Sequence, residues 1–190
     1  MNGSIINELV LDSLSTGIPS LTNDKASMLK ECCVWCLRNC QHPIGVVLQS
    51  ISYKGSTSYR ILWNEENIDV SHILVAYNSD DAVEFGAEAI ALLLVREQTL
   101  FTAIRRAVRS TGIDYWLGYK SDDPNIIFSK GDARLEISGI LEERGTNTVK
   151  NRIKKKLLQT VPTDHTFPVY ISVVEFTQPK AEMVFKNAIN

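Results

Sequence analysis

Two acidic residues on neighbouring predicted strands are the residues of this sequence best suited to metal chemistry. Asp114 lies near the start of a strand predicted over 113–119, and Glu136 lies in the middle of a strand predicted over 132–141. Carboxylates on adjacent strands can hold a divalent cation, which in turn can activate a water molecule. A basic helix follows these strands, so the pattern as a whole indicates chemistry on a phosphate group.

Both carboxylates also have ordinary structural interpretations. Strand residues two apart share a face, so Glu136 lies on the same side of its strand as Arg134 and could simply point to solvent beside it. Asp114 comes two residues after Gly112, where an aspartate is common as a turn residue. The sequence leaves these interpretations open beside the metal-binding one.

The basic helix is the main electrostatic feature of the chain. Thr146 or Asn147 is predicted to cap a helix that runs to about Gln159. Between 144 and 160 there are six basic residues and no acidic ones: Arg144, Lys150, Arg152, Lys154, Lys155 and Lys156. Such a patch can bind nucleic-acid phosphates without reading sequence, can meet an acidic protein surface, or can be a solvated helix face. All three alternatives remain open at this stage.

Composition limits the class of protein. The chain has 190 residues, 44% of them hydrophobic, and a formal net charge of −2, which is typical of a soluble globular domain. A general nucleic-acid-binding protein would be strongly basic, so any such contact must come from a local patch. No apolar run approaches the ~18 residues that span a bilayer, and the first residues lack the pattern of a secretory signal, so we expect a cytoplasmic protein.

Four cysteines crowd into one predicted helix, over 26–41. Cys33 and Cys36 form a C-x-x-C pair, which could suggest redox or zinc chemistry. However, Cys32, Cys33, Cys36 and Cys40 continue an apolar stripe at helical spacing, and small buried cysteines suit such a stripe. We therefore expect them to pack in the core.

The predicted elements indicate an α/β protein with a mixed sheet and helices on its faces. Residues 1–80 are predicted to form an extension with a helix and a hairpin. Residues 81–176 are predicted to fold in the order αβββαβ, with helices over 82–97 and 146–159 and strands over 101–109, 113–119, 132–141 and 168–176. Residues 177–190 are a tail, expected to add an edge strand or a short helix.

The order of elements over 81–176, with Asp114 and Glu136 in those places, resembles the PD-(D/E)xK restriction-endonuclease-like superfamily. The resemblance implies that Asp114 and Glu136 hold Mg²⁺ and that a carboxylate of the first helix is a third partner. Glu84 is the choice for that partner, with Glu88 as its rival. In the family a lysine lies two residues after the glutamate, but here that position is Ser138, which cannot supply a positive charge.

Two interpretations follow from the missing lysine. A lysine of the following helix can take its place, as in some family members, and the candidates are Lys150, Lys154, Lys155 and Lys156. Alternatively, the site is inactive and the fold persists as a binding module. The catalytic set implied by the resemblance is Asp114, Glu136, Ser138 and Glu84, with Mg²⁺ if active, and the binding set is Lys150, Arg152, Lys154, Lys155 and Lys156.

The segments 113–118 and 133–139 also resemble small bacterial proteins of defence gene clusters, such as the small subunit of Lamassu-type complexes built around an SMC-like ATPase. This resemblance implies a catalytically degenerate nuclease-fold subunit of an anti-phage or anti-plasmid assembly that binds nucleic acid or a larger partner. The alternative is an active Mg²⁺-dependent nuclease. No glycine-rich phosphate loop is present, so nucleotide hydrolysis by this chain is not expected.

Overall fold

A computed structural model of the protein describes residues 6–66, 68–108, 111–161 and 167–188. Within these ranges the strands are β1 Asn7–Val10, β2 Val47–Ser52, β3 Gly55–Leu62, β4 Phe101–Arg106, β5 Tyr115–Tyr119, β6 Ala133–Ile140, β7 Val169–Glu175 and β8 Lys180–Lys186. The helices are α1 Asn23–Asn39, α2 Val70–Ala76, α3 Ser79–Gln98 and α4 Val149–Gln159. Short 3₁₀ turns lie over Leu11–Ser15 and Pro124–Phe128. None of the helices in the described ranges is both long and apolar enough to cross a bilayer.

The strands form one mixed sheet in the order β1-β3-β2-β8-β7-β6-β5-β4. Strands β4, β5 and β6 make an antiparallel meander, and β7 returns parallel to β6 after α4. The predicted α/β class and mixed sheet are therefore confirmed. The strand predicted over 101–109 ends at Arg106, and its last predicted residue, Arg109, lies outside the described residues.

Helix α3 is buried on most of its surface, as the apolar residues around its circumference predict. Its N-cap is Asn78, whose side chain accepts a hydrogen bond from the backbone of Asp81, so the helix begins three residues before its predicted start at 82. The helix also lies unusually close to β6, because a Cβ at Gly139 would overlap the carbonyl oxygen of Val83. The first two turns of α3 are thereby held against the strand that carries Glu136.

Helix α4 crosses over the other face of the sheet. Val149 and Ile153 are its buried residues, and they contact the apolar face of β6 and β7. Thr148 is the N-cap, one residue beyond the predicted positions, and the carboxylate of Glu143 accepts a second hydrogen bond from the first backbone amide of the helix at 2.6 Å. The start of the helix is thus fixed a few residues after the end of β6.

The cysteines pack in the core, as predicted. Cys32, Cys33 and Cys36 are fully buried where α1 contacts α3, and Cys40 is half-buried. Burial raises the pKa of the Cys32 thiol to about 12, so this thiol remains protonated and unreactive near neutral pH. The cysteines between α1 and α3 therefore have a structural role and not a chemical one.

The prediction for the tail is wrong in one respect. Strand β8 is not at an edge, because it pairs with β7 on one side and with β2 on the other. Ala181 and Met183 are buried while their neighbours are partly exposed, so one face of β8 packs on the core. One sheet therefore runs across both predicted domain boundaries, at 80/81 and at 176/177.

Candidate functional site

A cleft of about 620 Å³ opens between the first turns of α3, the second half of β6 and the inner side of α4. It contains most of the residues that the sequence singled out. Its lining includes Glu84, Glu88, Asp114, Ser138, Arg152 and Lys156. Three separate elements thus place acidic and basic side chains around one space, as a phosphate-processing site requires.

Asp114 is held against β6 and is not a free turn residue. It directly precedes β5, and its backbone amide donates to the carbonyl oxygen of Leu135 at 2.8 Å. Its side-chain Oδ2 accepts a hydrogen bond from the backbone amide of Ile137, also at 2.8 Å. The carboxylate therefore lies beside the residue that follows Glu136, with 27% of the side chain still exposed to the cleft.

Glu136 does not point to solvent, so that interpretation is wrong. The residue is only 5% exposed, and its Oε1 accepts a hydrogen bond from the Nζ of Lys156. Burial and, after it, the charge of Asp114 raise the pKa of Glu136 to about 7, although Lys156 acts in the opposite direction. Two carboxyl groups therefore share a space in which ionising both is costly.

Ser138 is contacted by an arginine of α4. Its Oγ accepts a hydrogen bond from Nη1 of Arg152 at 3.2 Å, and Nη2 of the same guanidinium donates to Asn147 Oδ1 at 2.7 Å. Position 138 is thus flanked by Arg152, and Lys156 lies beside Glu136. Both cations come from the helix and neither from the strand.

The basic helix does not form a single patch. Arg152 and Lys156 lie one turn apart, so both point toward the cleft and are partly buried. Lys150, Lys154 and Lys155 are exposed on the outer side of the helix. The helical period therefore divides cations that are close in sequence into two groups. Arg152 and Lys156 form a pair at the cleft, and Lys150, Lys154 and Lys155 form a solvent-facing group.

The two candidate carboxylates of α3 differ in their surroundings. Glu84 is exposed at the rim of the cleft. Glu88, one turn further, is only 2% exposed and accepts hydrogen bonds from Arg106 and from the hydroxyl of Tyr115, the latter at 2.5 Å. The ammonium group of Lys25, from α1, is 3.3 Å away. The carboxylate of Glu88 is consequently already hydrogen-bonded and charge-paired by other side chains.

Arg106 links that buried carboxylate to the site, and the predicted site does not include it. One end of its guanidinium bonds Glu88, and Nη2 lies 3.7 Å from Asp114 Oδ1. The register of β4 and β5 explains the contact, because Arg106 lies opposite Tyr115, the residue that follows Asp114. Only knowledge of the strand register could have identified it from sequence.

The donor chemistry fits a hard divalent cation at Asp114 and Glu136. Their oxygens are the ligands that Mg²⁺ prefers, and Mg²⁺ often uses only one or two carboxylates together with water and substrate phosphates. Burial is the larger cause of the raised pKa of Glu136 and the charge of Asp114 the second, and a bound cation would relieve the repulsion between the two carboxylates. In the described part of the chain, no three Asp, Glu, His or Cys side chains are grouped for metal binding, and a third ligand from Glu84 or Glu88 stays a prediction.

No protein-family model matches the sequence, and no curated protein sequence matches it either. Two carboxylates, two inward-pointing cations and an open cleft are compatible with binding and hydrolysing a phosphate ester in the presence of a divalent cation.

Proposed function

We propose that the protein is a divalent-cation-dependent nuclease in which Lys156 of α4 replaces the lysine that the family motif would place at Ser138. The observation that carries this proposal is the hydrogen bond from Lys156 Nζ to Glu136 Oε1, next to Asp114. Lys156 brings to this pair of carboxylates the positive charge that a serine cannot provide.

The arrangement of the elements supports the same proposal. From α3 onward their order is α3-β4-β5-β6-α4-β7, which is the order on which the resemblance to PD-(D/E)xK nucleases rests. Asp114 precedes the second strand of the meander, and Glu136 lies within the third. The adjacent pairing of β5 and β6 is what brings the two carboxylates together.

Each residue has a separate role in the proposed reaction. Asp114 and Glu136 would hold Mg²⁺, which when bound supplies a more acidic water and neutralises charge on the phosphodiester. The ammonium group of Lys156 would place a further positive charge beside that water. Arg152, oriented by Ser138 and Asn147, would contact a phosphate oxygen of the substrate.

Cleavage assays with purified protein test this function. Labelled single- and double-stranded DNA and RNA are incubated with Mg²⁺ or Mn²⁺ and with EDTA. We expect cation-dependent cleavage that is abolished in Asp114→Asn and in Lys156→Ala. Lys155→Ala is the matched control, since that residue precedes Lys156 but lies on the exposed side of the helix. Equal activity of wild type and Asp114→Asn would contradict the assignment.

A second candidate function is favoured by the solvent-facing group of α4. Lys150, Lys154 and Lys155 take no part in the cleft, and Leu158 beside them is 74% exposed. A surface of this kind suits a larger acidic partner, such as an SMC-like ATPase of a bacterial defence assembly, to which this chain would belong as a small subunit. In that case co-purification with the product of a neighbouring gene is lost when these three lysines are changed to Glu, while Lys156→Ala leaves it intact.

A further inference from the structure

Five aromatic rings lie in contact at the end of the sheet opposite to the cleft. They are Tyr53, Phe101, Tyr119, Tyr170 and Phe185. This end is formed by the start of β4 and β7, the end of β5 and β8, and the turn after β2. Asp114 precedes β5 and Tyr119 ends it, so one strand, roughly 17 Å long, separates the cluster from the candidate site.

The three inner rings, Tyr170, Phe101 and Phe185, support the two outer ones, Tyr53 and Tyr119. Tyr170 is buried, and its ring lies 4.9 Å from that of Phe185 and 6.0 Å from that of Phe101. Phe185 in turn contacts Tyr53 at 5.4 Å, and Phe101 contacts Tyr119 at 4.7 Å, measured between ring centroids. Each outer tyrosine therefore has an aromatic neighbour behind it that restricts its orientation.

The two outer rings remain largely accessible. Tyr53 is 50% exposed and Tyr119 is 53% exposed, although three other rings already close this end of the core. Burial of apolar surface therefore accounts for the inner rings and not for the outward half of the two tyrosines. A phenol ring fixed from behind and open in front offers a flat surface on which another ring can stack.

A lysine follows each outer tyrosine in the chain. Lys54 and Lys120 are both exposed. The ammonium group of Lys54 lies 5.5 Å from the ring centroid of Tyr53 and is steadied by the carbonyl oxygen of Gln98 at 2.7 Å. Asp123, an acidic residue three positions after Lys120, is the N-cap of the 3₁₀ turn that follows it. A cation beside an exposed ring is thus observed at Tyr53, while Tyr119 and Lys120 are adjacent in the chain.

We propose that this end of the sheet binds single-stranded nucleic acid, with bases stacked on Tyr53 and Tyr119 and phosphates near Lys54 and Lys120. Every nucleobase has a flat face, so such stacking tolerates any sequence, and the lysines complement the charge of the backbone. A duplex keeps its bases stacked on each other, which leaves no face for the tyrosines. The surface is separate from the cleft, so it goes beyond the proposed nuclease function and does not depend on it.

Fluorescence anisotropy with a labelled oligo(dT) 20-mer tests the surface directly, in EDTA so that no cleavage intervenes. We expect the wild type to bind the single strand more tightly than a duplex of the same length. Tyr53→Ala with Tyr119→Ala should weaken the single-strand Kd by tenfold or more, on the order of what loss of base stacking costs. The matched variant, Tyr53→Phe with Tyr119→Phe, keeps both rings and should bind like the wild type. Thermal unfolding of both double variants reports whether the fold is retained.

Other outcomes decide against the proposal. Unchanged binding by the double alanine variant, with the fold retained, would overturn it, and so would the absence of any single-strand binding by the wild type. Tighter binding of the duplex, unaffected by the tyrosines, would assign nucleic-acid contact to another surface. The double alanine variant should bind Mg²⁺ normally in calorimetry, so failure of the surface and failure of the cleft are distinguishable.

Discussion

Lys156 and Glu136 come from different layers of the protein, yet they form one hydrogen-bonded ion pair, in which Lys156 lines the cleft. The lysine approaches from α4 and the glutamate from β6, twenty residues earlier in the chain. Because the crossover returns α4 over β6, a cation on the helix can occupy a place that a residue of the strand would otherwise fill. The position of a charge in the site is therefore set by topology and not by sequence distance.

This relationship predicts that the lysine can be moved back to the strand. Lys156→Ala should abolish cleavage, and Ser138→Lys added to Lys156→Ala should restore part of it, because the new ammonium group would enter the same cleft. Rates measured for the wild type, the two single variants and the double variant check this. If the double variant is no more active than Lys156→Ala, the charge at position 138 is not equivalent to Lys156. Ser138→Ala is the control for loss of the hydroxyl.

The raised pKa of Glu136 predicts how stability changes with pH. Its pKa rises from an ordinary 4.5 to about 7, so between these values the folded state holds a proton that the unfolded state releases. The contribution to stability is therefore complete below the lower value and is lost as pH rises through about 7. The free energy of unfolding of wild type relative to Glu136→Gln, measured in urea without divalent cations, should fall from pH 5 to pH 8. A constant difference would contradict the assignment.

Cation binding should show the opposite pH dependence. Mg²⁺ or Mn²⁺ must displace the proton of Glu136, so affinity should increase between pH 6 and pH 8. Isothermal titration calorimetry in buffers of different ionisation enthalpy measures both the affinity and the released proton. Glu136→Gln should remove the pH dependence together with most of the affinity, while Glu142→Gln, at the rim of the same cleft, should change neither substantially.

Glu84 and Glu88 should behave differently when truncated, although they lie one turn apart. Glu88→Ala leaves Arg106, Lys25 and the Tyr115 hydroxyl without their shared acceptor, and we expect a loss of stability of about 3 kcal/mol, at the lower end for a buried pair because the two cations reach solvent. Glu84→Ala should stay within about 0.5 kcal/mol, as for an exposed side chain. Urea unfolding of both variants checks this. Equal effects would show that Glu88 is not an anchor.

Gly139 predicts a steric effect close to the site. Its φ is not in the left-handed region, so the cost of Gly139→Ala comes from contact with the Val83 carbonyl and the Ala87 side chain. We expect a loss of about 1–3 kcal/mol, as for overpacking, and weaker cation binding because α3 is pushed away. Gly145→Ala is the control: it has open space but a φ of +55°, so it should cost about 1 kcal/mol from the backbone alone and leave the cleft intact.

The sequence was informative about the elements and less so about their neighbours. The spacing of apolar residues predicted α1, α3 and α4 within a few positions, because a buried helix must repeat its apolar side every turn. It did not predict that β8 is internal, since a strand's partners depend on which edges are free after the rest of the sheet has formed. Alternation in β8 predicts a strand with one buried face, but not its place in the sheet.

The candidate site divides in the same way. Asp114 and Glu136 were identified because their strands are consecutive, and consecutive strands with a short connection usually pair. Lys156 was one of four lysines, and only the direction of α4 over the sheet distinguishes it from Lys155. Arg106 was outside the predicted set because its contact with Asp114 depends on strand register. Contacts between side chains of separate layers are difficult to predict from the local sequence pattern.

The central position of β8 has a consequence for synthesis on the ribosome. The hairpin of β2 and β3 joins the rest of the sheet only through β8, so it has no strand to pair with on that side until residues 180–186 have left the exit tunnel. The sheet is therefore not complete until β8 has been synthesised, and the exposed edge of β2 is open to mispairing until then. Chains that end before residue 180 should be substrates for chaperones and proteases, even though every residue of the cleft has already been made.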